Sequence, residues 1–438
     1  MKYKQIPSGF FKRNRERLAA QLPDNSLVVL FSADEFPRNG DQFFRFRQNS
    51  DFFYLTGIDQ EESVFFLKKE RADSNPHCAL FIKKTDKNQV IWYGKKYTLN
   101  DAAKISGIDE VFWLDELEKE TENFMKNTDS VFTWQNEYAK FETEVPYANL
   151  RKARELMEKY PGADYQRLFP LMQKLRVVKS EEELAMIKEA VRITKKAYLR
   201  VLDTIRPGMT EYEVEAEITY EFLRNAATGH AYHPIVAGGE NACILHYIDN
   251  DKMLKECQLV LMDFGAEYGN YAADCSRTIP VSGKFTPRQK ECYEAVLDVF
   301  HRAKKLYVPG NTIDNINKQV GEWMQEKMIE LGLLSYGEIE NHKGENPPYF
   351  KYFMHGTSHF LGLDVHDMGT KQTPFEKGMV LTCEPGLYIP EEEIGIRIET
   401  DMVVADEPID LMADFPVEPD EIEELMQGEY GEDAEDFI

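Results

Sequence analysis

The stretch Gln258–Thr278, QLVLMDFGAEYGNYAADCSRT, decides how the chain folds. It reads as two strands around a tight turn at Tyr268-Gly269-Asn270, with Asp263 on one arm and Asp274 on the other. A turn centred between residues 268 and 269 puts these two acids directly opposite each other. Opposed residues of an antiparallel pair share a face, with Cβ atoms about 4.5–5.5 Å apart. Asp263 also ends an apolar run, Leu259 to Met262, of the kind found in buried strands. Two adjacent carboxylates in a core lose hydration and repel, so they need protonation or a cation between them. The alternative is a surface hairpin whose acids face water.

The helices around this hairpin occur twice. Ser180-Glu-Glu-Glu183 has capping-box spacing. Leu184, Ile187, Val191, Thr194, Tyr198, Val201 and Ile205 follow as one apolar stripe. That helix stops at Arg206-Pro207-Gly208, and Thr210 with Glu213 opens another running to about Asn225. A helix from Pro287 to Tyr307 likewise stops at Val308-Pro309-Gly310, and Thr312 caps the next. Pro207, Gly208 and Thr210 thus recur as Pro309, Gly310 and Thr312 at a constant offset of 102 residues. With the shared order of elements, this predicts an internal duplication with a site between two similar halves.

The second half should then carry its own hairpin. Val380-Leu-Thr-Cys-Glu384 and Gly395-Ile-Arg-Ile-Glu399 flank a polar turn at Pro390-Glu391-Glu392, and a turn centred between 391 and 392 puts Glu384 opposite Glu399. Ile394, Ile396 and Ile398 face one way, Arg397 and Glu399 the other. Between the hairpins lie His355, His359 and His366, three histidines within twelve residues of a chain that has nine. Glycines and β-branched residues favour an extended or bent segment there, in which His355 and His359 share a face. His366 joins them only if Gly362 marks a bulge or bend. Any one of these histidines could be an ordinary core residue. Together, four carboxylates and an imidazole form a hard-leaning set suited to two divalent ions such as Mn²⁺, Co²⁺ or Zn²⁺.

The rest of the sequence bounds the answer. A chain of 438 residues is long for one core, and the division expected is 1–172 and 173–438. A net charge of −25 argues against binding nucleic acid or anionic membrane. No apolar run is long enough to span a bilayer, and no secretory signal opens the sequence. The six cysteines are scattered without a CxxC pair, as expected of reduced thiols in the cytoplasm. Cys275 and Cys383 adjoin acids of interest yet point to the other face of their strands, as packing residues. The last ten residues of the acidic tail are expected to be solvated and frayed.

Residues 1 to about 170 read as an α/β domain. Its expected strands are Leu27–Phe31, Val64–Leu67, Ala79–Ile82, Val90–Tyr93 and Val131–Trp134. Helices are expected at Arg13–Leu22, Asn100–Ile105 and Tyr147–Lys159. Arg47–Gly57 combines polar turn residues with an aromatic cluster. The fold class is α+β, an α/β domain followed by the duplicated halves.

Six motifs carry a resemblance to a family. They are Ile244-Leu-His-Tyr247, Asp263-Phe-Gly-Ala-Glu-Tyr268, Ala273-Asp-Cys-Ser-Arg-Thr278, Met354 to Asp367, Glu384-Pro-Gly-Leu-Tyr388 and Gly395-Ile-Arg-Ile-Glu399. The chain resembles the pita-bread metallopeptidases, and aminopeptidase P (Xaa-Pro aminopeptidase) most. Arg47–Gly57 is similar to the signature of that family's N-terminal, creatinase-like domain. The resemblance implies five ligands to two metal ions, Mn²⁺ by preference: Asp263, Asp274, His359, Glu384 and Glu399, with Asp274 and Glu399 bridging. It implies that Glu384 also handles the proton of the attacking water. His246 and His366 would assist the tetrahedral intermediate and proton movement, and His355 and Arg397 would orient substrate. The implied substrates are peptides with proline in second position. The link between Glu384 and Glu399 is shorter than in some members.

Two rival readings are prolidase, which shares the fold but takes dipeptides, and a non-catalytic pita-bread binding protein, disfavoured because all five ligand positions are filled. The family's N-terminal domain packs against another subunit, which implies a homodimer or homotetramer. Trp92 would then either reach a neighbour's site or lie buried in its own sheet.

Overall fold

The computed structural model describes residues 3–71, 75–135 and 145–428, so the last ten residues of the tail lie outside the described residues. Two compact units emerge, Gln5–Arg176 and the chain from Val177 onward together with the first few residues.

The first unit is built on a six-stranded mixed sheet in the order Glu110–Trp113, His77–Ile82, Val64–Lys69, Ser26–Phe31, Ser130–Thr133, Asp164–Arg167. Apolar side chains of its central strands form the core with Phe124 and Leu156. Val90–Tyr93, expected as a strand, is instead helical within Lys87–Tyr93. The physical reason is local: Asp86 and Gln89 form a reciprocal capping box, and Gly94 ends the turn at φ +78°. Trp92 is accordingly not a buried sheet residue, since Ile91, Trp92 and Tyr93 are 77%, 81% and 76% exposed. The Arg47–Gly57 stretch folds into a buried helix, Ser50–Thr56, capped by the Asn49 side chain and closed by Gly57 at φ +68°. A Cβ on Gly57 would lie 2.4 Å from the Phe11 ring. Asp51 of this helix pairs with Arg176 at 2.7 Å, both buried.

The second unit carries the two helix pairs, Glu181–Thr204 with Glu211–Arg224 and Pro287–Ala303 with Ile313–Glu330. Ser180 and Thr286 cap the first helix of each pair through reciprocal boxes with Glu183 and Gln289. Gly208 and Gly310 both adopt left-handed backbone, at φ +91° and +87°, so the recurring Pro-Gly-x-Thr marks the same corner twice. Each pair is followed by short antiparallel ladders. Strands Ile235–Gly238, Leu259–Asp263 and Ser276–Pro280 form one sheet, and Val380–Cys383, Thr400–Val403 and Ile409–Asp410 form its counterpart. A pita-bread unit of two related halves thus follows an α/β domain, as the sequence indicated.

Candidate metal centre

Ser276–Pro280 and Ile394–Arg397 lie along the seam between the halves and are tied together directly. Glu399 N–H donates to the Ser276 carbonyl at 3.1 Å, and Arg397 N–H donates to Thr278 Oγ1 at 3.2 Å. This stitching brings the acids of both hairpins onto one side.

The first hairpin has a different register from the one expected. Tyr268 pairs with Tyr271, so the turn residues are Gly269 and Asn270, at φ +59° and +66°. Two left-handed residues make the tight hairpin turn, one position later than anticipated. Asp263 therefore faces Ser276, while Asp274 lies two residues further toward the turn. A two-residue displacement keeps the face, so Asp263, Asp274 and Ser276 all point into the same space. The second hairpin has the expected register: Ile389 pairs with Ile394, Gly386 with Arg397 and Cys383 with Thr400. Glu384 and Glu399 fall between those ladders, on opposite arms.

One ligand atom each from Asp274, His359 and Glu399 lies within 4.8 Å of the others. His359 Nε2 is 3.3 Å from Asp274 Oδ2 and 3.7 Å from Glu384 Oε1. The other ring nitrogen, Nδ1, lies 3.1 Å from the Phe360 carbonyl, so Nδ1–H donates there and Nε2 faces the acids, protonated without metal and a ligand atom once a cation displaces that proton. Asp263 joins through a side chain that the sequence did not signal. The Tyr232 hydroxyl lies 2.7 Å from Asp263 Oδ1 and 2.6 Å from Asp274 Oδ1. Arg397 donates to Asp263 Oδ2 at 2.6 Å, to Ser276 Oγ at 2.7 Å and to Tyr388 Oη at 3.0 Å. Ser276 Oγ donates in turn to Glu399 Oε2 at 2.7 Å.

The electrostatics are those of an anionic cage. Burial, then the neighbouring carboxylates, hold Glu399 well above the usual carboxylate range. Burial raises Glu384 to about 7, with His359 and Arg397 opposing the rise. Burial lowers His359, but its hydrogen bond to Asp274 and the charge of Glu384 outweigh that and bring it to about 9. Asp401 is raised too, chiefly by burial and then by Asp274; its Oδ2 accepts the Asp274 N–H at 3.2 Å and its Oδ1 has no partner among the described residues. Oxygen donors crowded this way, with one imidazole nitrogen aimed among them, fit divalent cations of the Mn²⁺, Co²⁺ or Zn²⁺ kind, which would displace the protons held here.

The remaining histidines surround this cage unequally. The His366 ring packs edge-on against His359, with centroids 4.4 Å apart. His355 Nε2 lies 2.7 Å from Tyr388 Oη and Nδ1 lies 2.8 Å from the Gly356 carbonyl. Burial, then Arg397 and His246, lower His355 to about 3, so it is a neutral imidazole. His246 sits at an exposed turn. Sequence reasoning missed Tyr232 and Asp401. Alternation along Arg397, Glu399 and Asp401 carried a signal for the second; Tyr232 had none.

Comparison with known proteins places the chain in a family. Residues 185–406 match Metallopeptidase family M24, and residues 11–132 match the Aminopeptidase P, N-terminal domain. The chain is 38% identical to the Xaa-Pro aminopeptidase of Escherichia coli, over 95% of this chain and 97% of that one. It is 34% identical to the Xaa-Pro aminopeptidase of Haemophilus influenzae, over 96% and 98%. The solved structure of aminopeptidase P from E. coli in its low-pH form superposes with a TM-score of 0.89 at 35% identity, covering 98% of this chain and 100% of that one.

Proposed function

The chain belongs to metallopeptidase family M24, and on that premise we propose that it removes the first residue from peptides with proline in second position, using two divalent ions, Mn²⁺ by preference. The family fixes the class, a metal-dependent aminopeptidase. The finer reading is carried by the cluster of Asp274, His359 and Glu399 with Glu384 and Asp263 beside it. These five residues would hold the ions, with Asp274 and Glu399 shared between them. When bound, such ions polarise a carbonyl and lower the pKa of water toward neutrality.

An Xaa-Pro bond offers no N–H at the proline and has a fixed φ, which defeats recognition through backbone hydrogen bonds. The protein side chains must therefore manage orientation and protons. Glu384 takes a proton from the attacking water and returns it to the proline nitrogen. Arg397 has three of its nitrogens engaged by Asp263, Ser276 and Tyr388, so it orients substrate indirectly, by fixing the wall of the site. Neutral His355 extends that wall through Tyr388. His246, at its exposed turn, steadies the oxyanion, and His366 assists proton movement from its place against His359.

The same reading has the enzyme act in the cytoplasm as a homodimer or homotetramer. The exposed Ile91, Trp92 and Tyr93 support a contact between subunits. No helix among the described residues is long and apolar enough to cross a membrane.

The test is release of the first residue from Xaa-Pro-Yaa, Xaa-Pro and Xaa-Ala-Yaa peptides after reloading with Mn²⁺. Xaa-Pro-Yaa should be cleaved best. Preference for the dipeptide would favour prolidase, and equal cleavage of Xaa-Ala-Yaa would remove the proline specificity.

A further inference from the structure

Two buried charges beside the metal cluster have no part in the chemistry above. Lys179 Nζ and Asp367 Oδ2 pair at 2.9 Å, with side chains 0% and 1% exposed. Lys179 stands just before the helix Glu181–Thr204, where its N–H donates to the Gly378 carbonyl at 3.0 Å. It is therefore fixed next to the strand Val380–Cys383, which leads to Glu384.

Asp367 is held at further points. Its Oδ1 accepts the Met368 N–H at 2.8 Å, and its own N–H donates to the Phe360 carbonyl at 2.8 Å. That carbonyl is the one facing His359 Nδ1. A loop thus closes from Phe360 to Asp367, with His359 immediately before it and His366 immediately inside its far end. The two rings meet across the closure. Gly362 lies directly on the ion pair: a Cβ there would be 2.0 Å from Asp367 Oδ2 and 2.9 Å from Lys179 Nζ. Glu183, also buried, adds a third charge and accepts from the Tyr271 hydroxyl at 3.2 Å, which ties the cluster to the turn of the first hairpin.

A buried ion pair contributes little stability compared with apolar side chains of similar volume, so its presence beside the site points to a role other than stability. We propose that Lys179 and Asp367 are positioning residues that lock the loop and so set the His359 and His366 rings, an inference that rests on the metallo-aminopeptidase reading of those rings. Lys179 anchors Asp367, Asp367 closes on the Phe360 carbonyl, and that carbonyl orients His359. Removing the tether frees His366 from its place against His359 while leaving the four carboxylates on their hairpins.

The experiment compares wild type, Lys179→Met and the double variant Lys179→Met with Asp367→Asn. Melting temperature, Mn²⁺ affinity of the metal-free protein by calorimetry, and kcat and KM on an Xaa-Pro-Yaa peptide are measured for each. Lys179→Met strands the carboxylates of Asp367 and Glu183 and should lower the melting temperature; the double variant, in which only Glu183 lacks the lysine, should recover part of it. In the double variant kcat should stay about 100-fold down, because small misplacements cost that much. Its Mn²⁺ affinity should stay about tenfold down, as for lost support behind a ligand. KM should change little. Recovery of kcat and affinity together with the melting temperature would overturn the proposal, because the pair would then be purely structural. So would wild-type kcat in either variant. If Lys179→Met does not fold, the double variant decides alone. A wild type that neither binds Mn²⁺ nor cleaves the peptide would overturn the functional reading instead.

Discussion

Ser276 holds Glu399 at two points: its carbonyl accepts the Glu399 N–H at 3.1 Å, and its hydroxyl donates to Glu399 Oε2 at 2.7 Å. Ser276 belongs to the first hairpin and Glu399 to the second, so one residue joins the two halves and aims a carboxylate. Ser276→Ala keeps the backbone bond and strands Arg397 Nε and Glu399 Oε2. Loss of a partner to buried charged groups costs ~1–3 kcal/mol or more. Chemical denaturation should show that loss, and calorimetry should show Mn²⁺ affinity reduced about tenfold. Wild-type affinity would mean that Glu399 needs no such support.

Tyr232 places one hydroxyl between two acids. Tyr232→Phe removes the only neutral donor seen on both Asp263 and Asp274 among the described residues. The metal-free variant should be less stable by ~1–3 kcal/mol, the cost of a lost partner to a buried acceptor. Saturating Mn²⁺ should shrink the difference, since a cation would then satisfy the same oxygens. An equal deficit with and without metal would contradict this.

The pH dependence of stability should reverse on metal binding. Without metal, Glu384 moves from an ordinary 4.5 to about 7 in the native state, and His359 from 6.5 to about 9. The native protein then holds protons that the unfolded chain has released, so stability falls as pH rises from about 4.5 to about 9. Metal binding expels those protons, and the loaded protein should gain stability over the same range. Melting temperatures in chelator and in excess Mn²⁺ give the two slopes. Slopes of the same sign would show that these groups do not receive the metal.

Glu384→Gln keeps the shape of the side chain and removes its ability to shuttle a proton. Turnover of Xaa-Pro-Yaa peptides at saturating Mn²⁺ should fall by ~10²–10⁴-fold. Retained turnover would move the acid/base role to another residue, such as His366.

Much of the candidate centre was legible in the sequence because strand alternation preserves faces. The first turn is built on Gly269 and Asn270 and not one residue earlier, yet Asp263 and Asp274 still share a side, because the shift moves the pairing by two. Gly362 marks the bend that lets His366 meet His359. Val90–Tyr93 misled, because four apolar residues fit a strand or a helix, and the Asp86–Gln89 capping box decided for the helix. Asp401 was legible only through its alternation with Arg397 and Glu399, and Tyr232 was not legible as a site residue. Their importance lies in which atoms of Asp263 and Asp274 they touch, and that depends on how distant segments pack.

Metal stoichiometry tests the central claim most directly. Wild type, Asp274→Asn and Glu399→Gln are stripped with chelator, reloaded with Mn²⁺ and dialysed, and bound metal per chain is measured beside peptide turnover. Two equivalents in wild type, with both metal and turnover lost in each variant, is the predicted result. Full turnover without bound metal, or in either variant, would contradict a dinuclear centre held between the two hairpins.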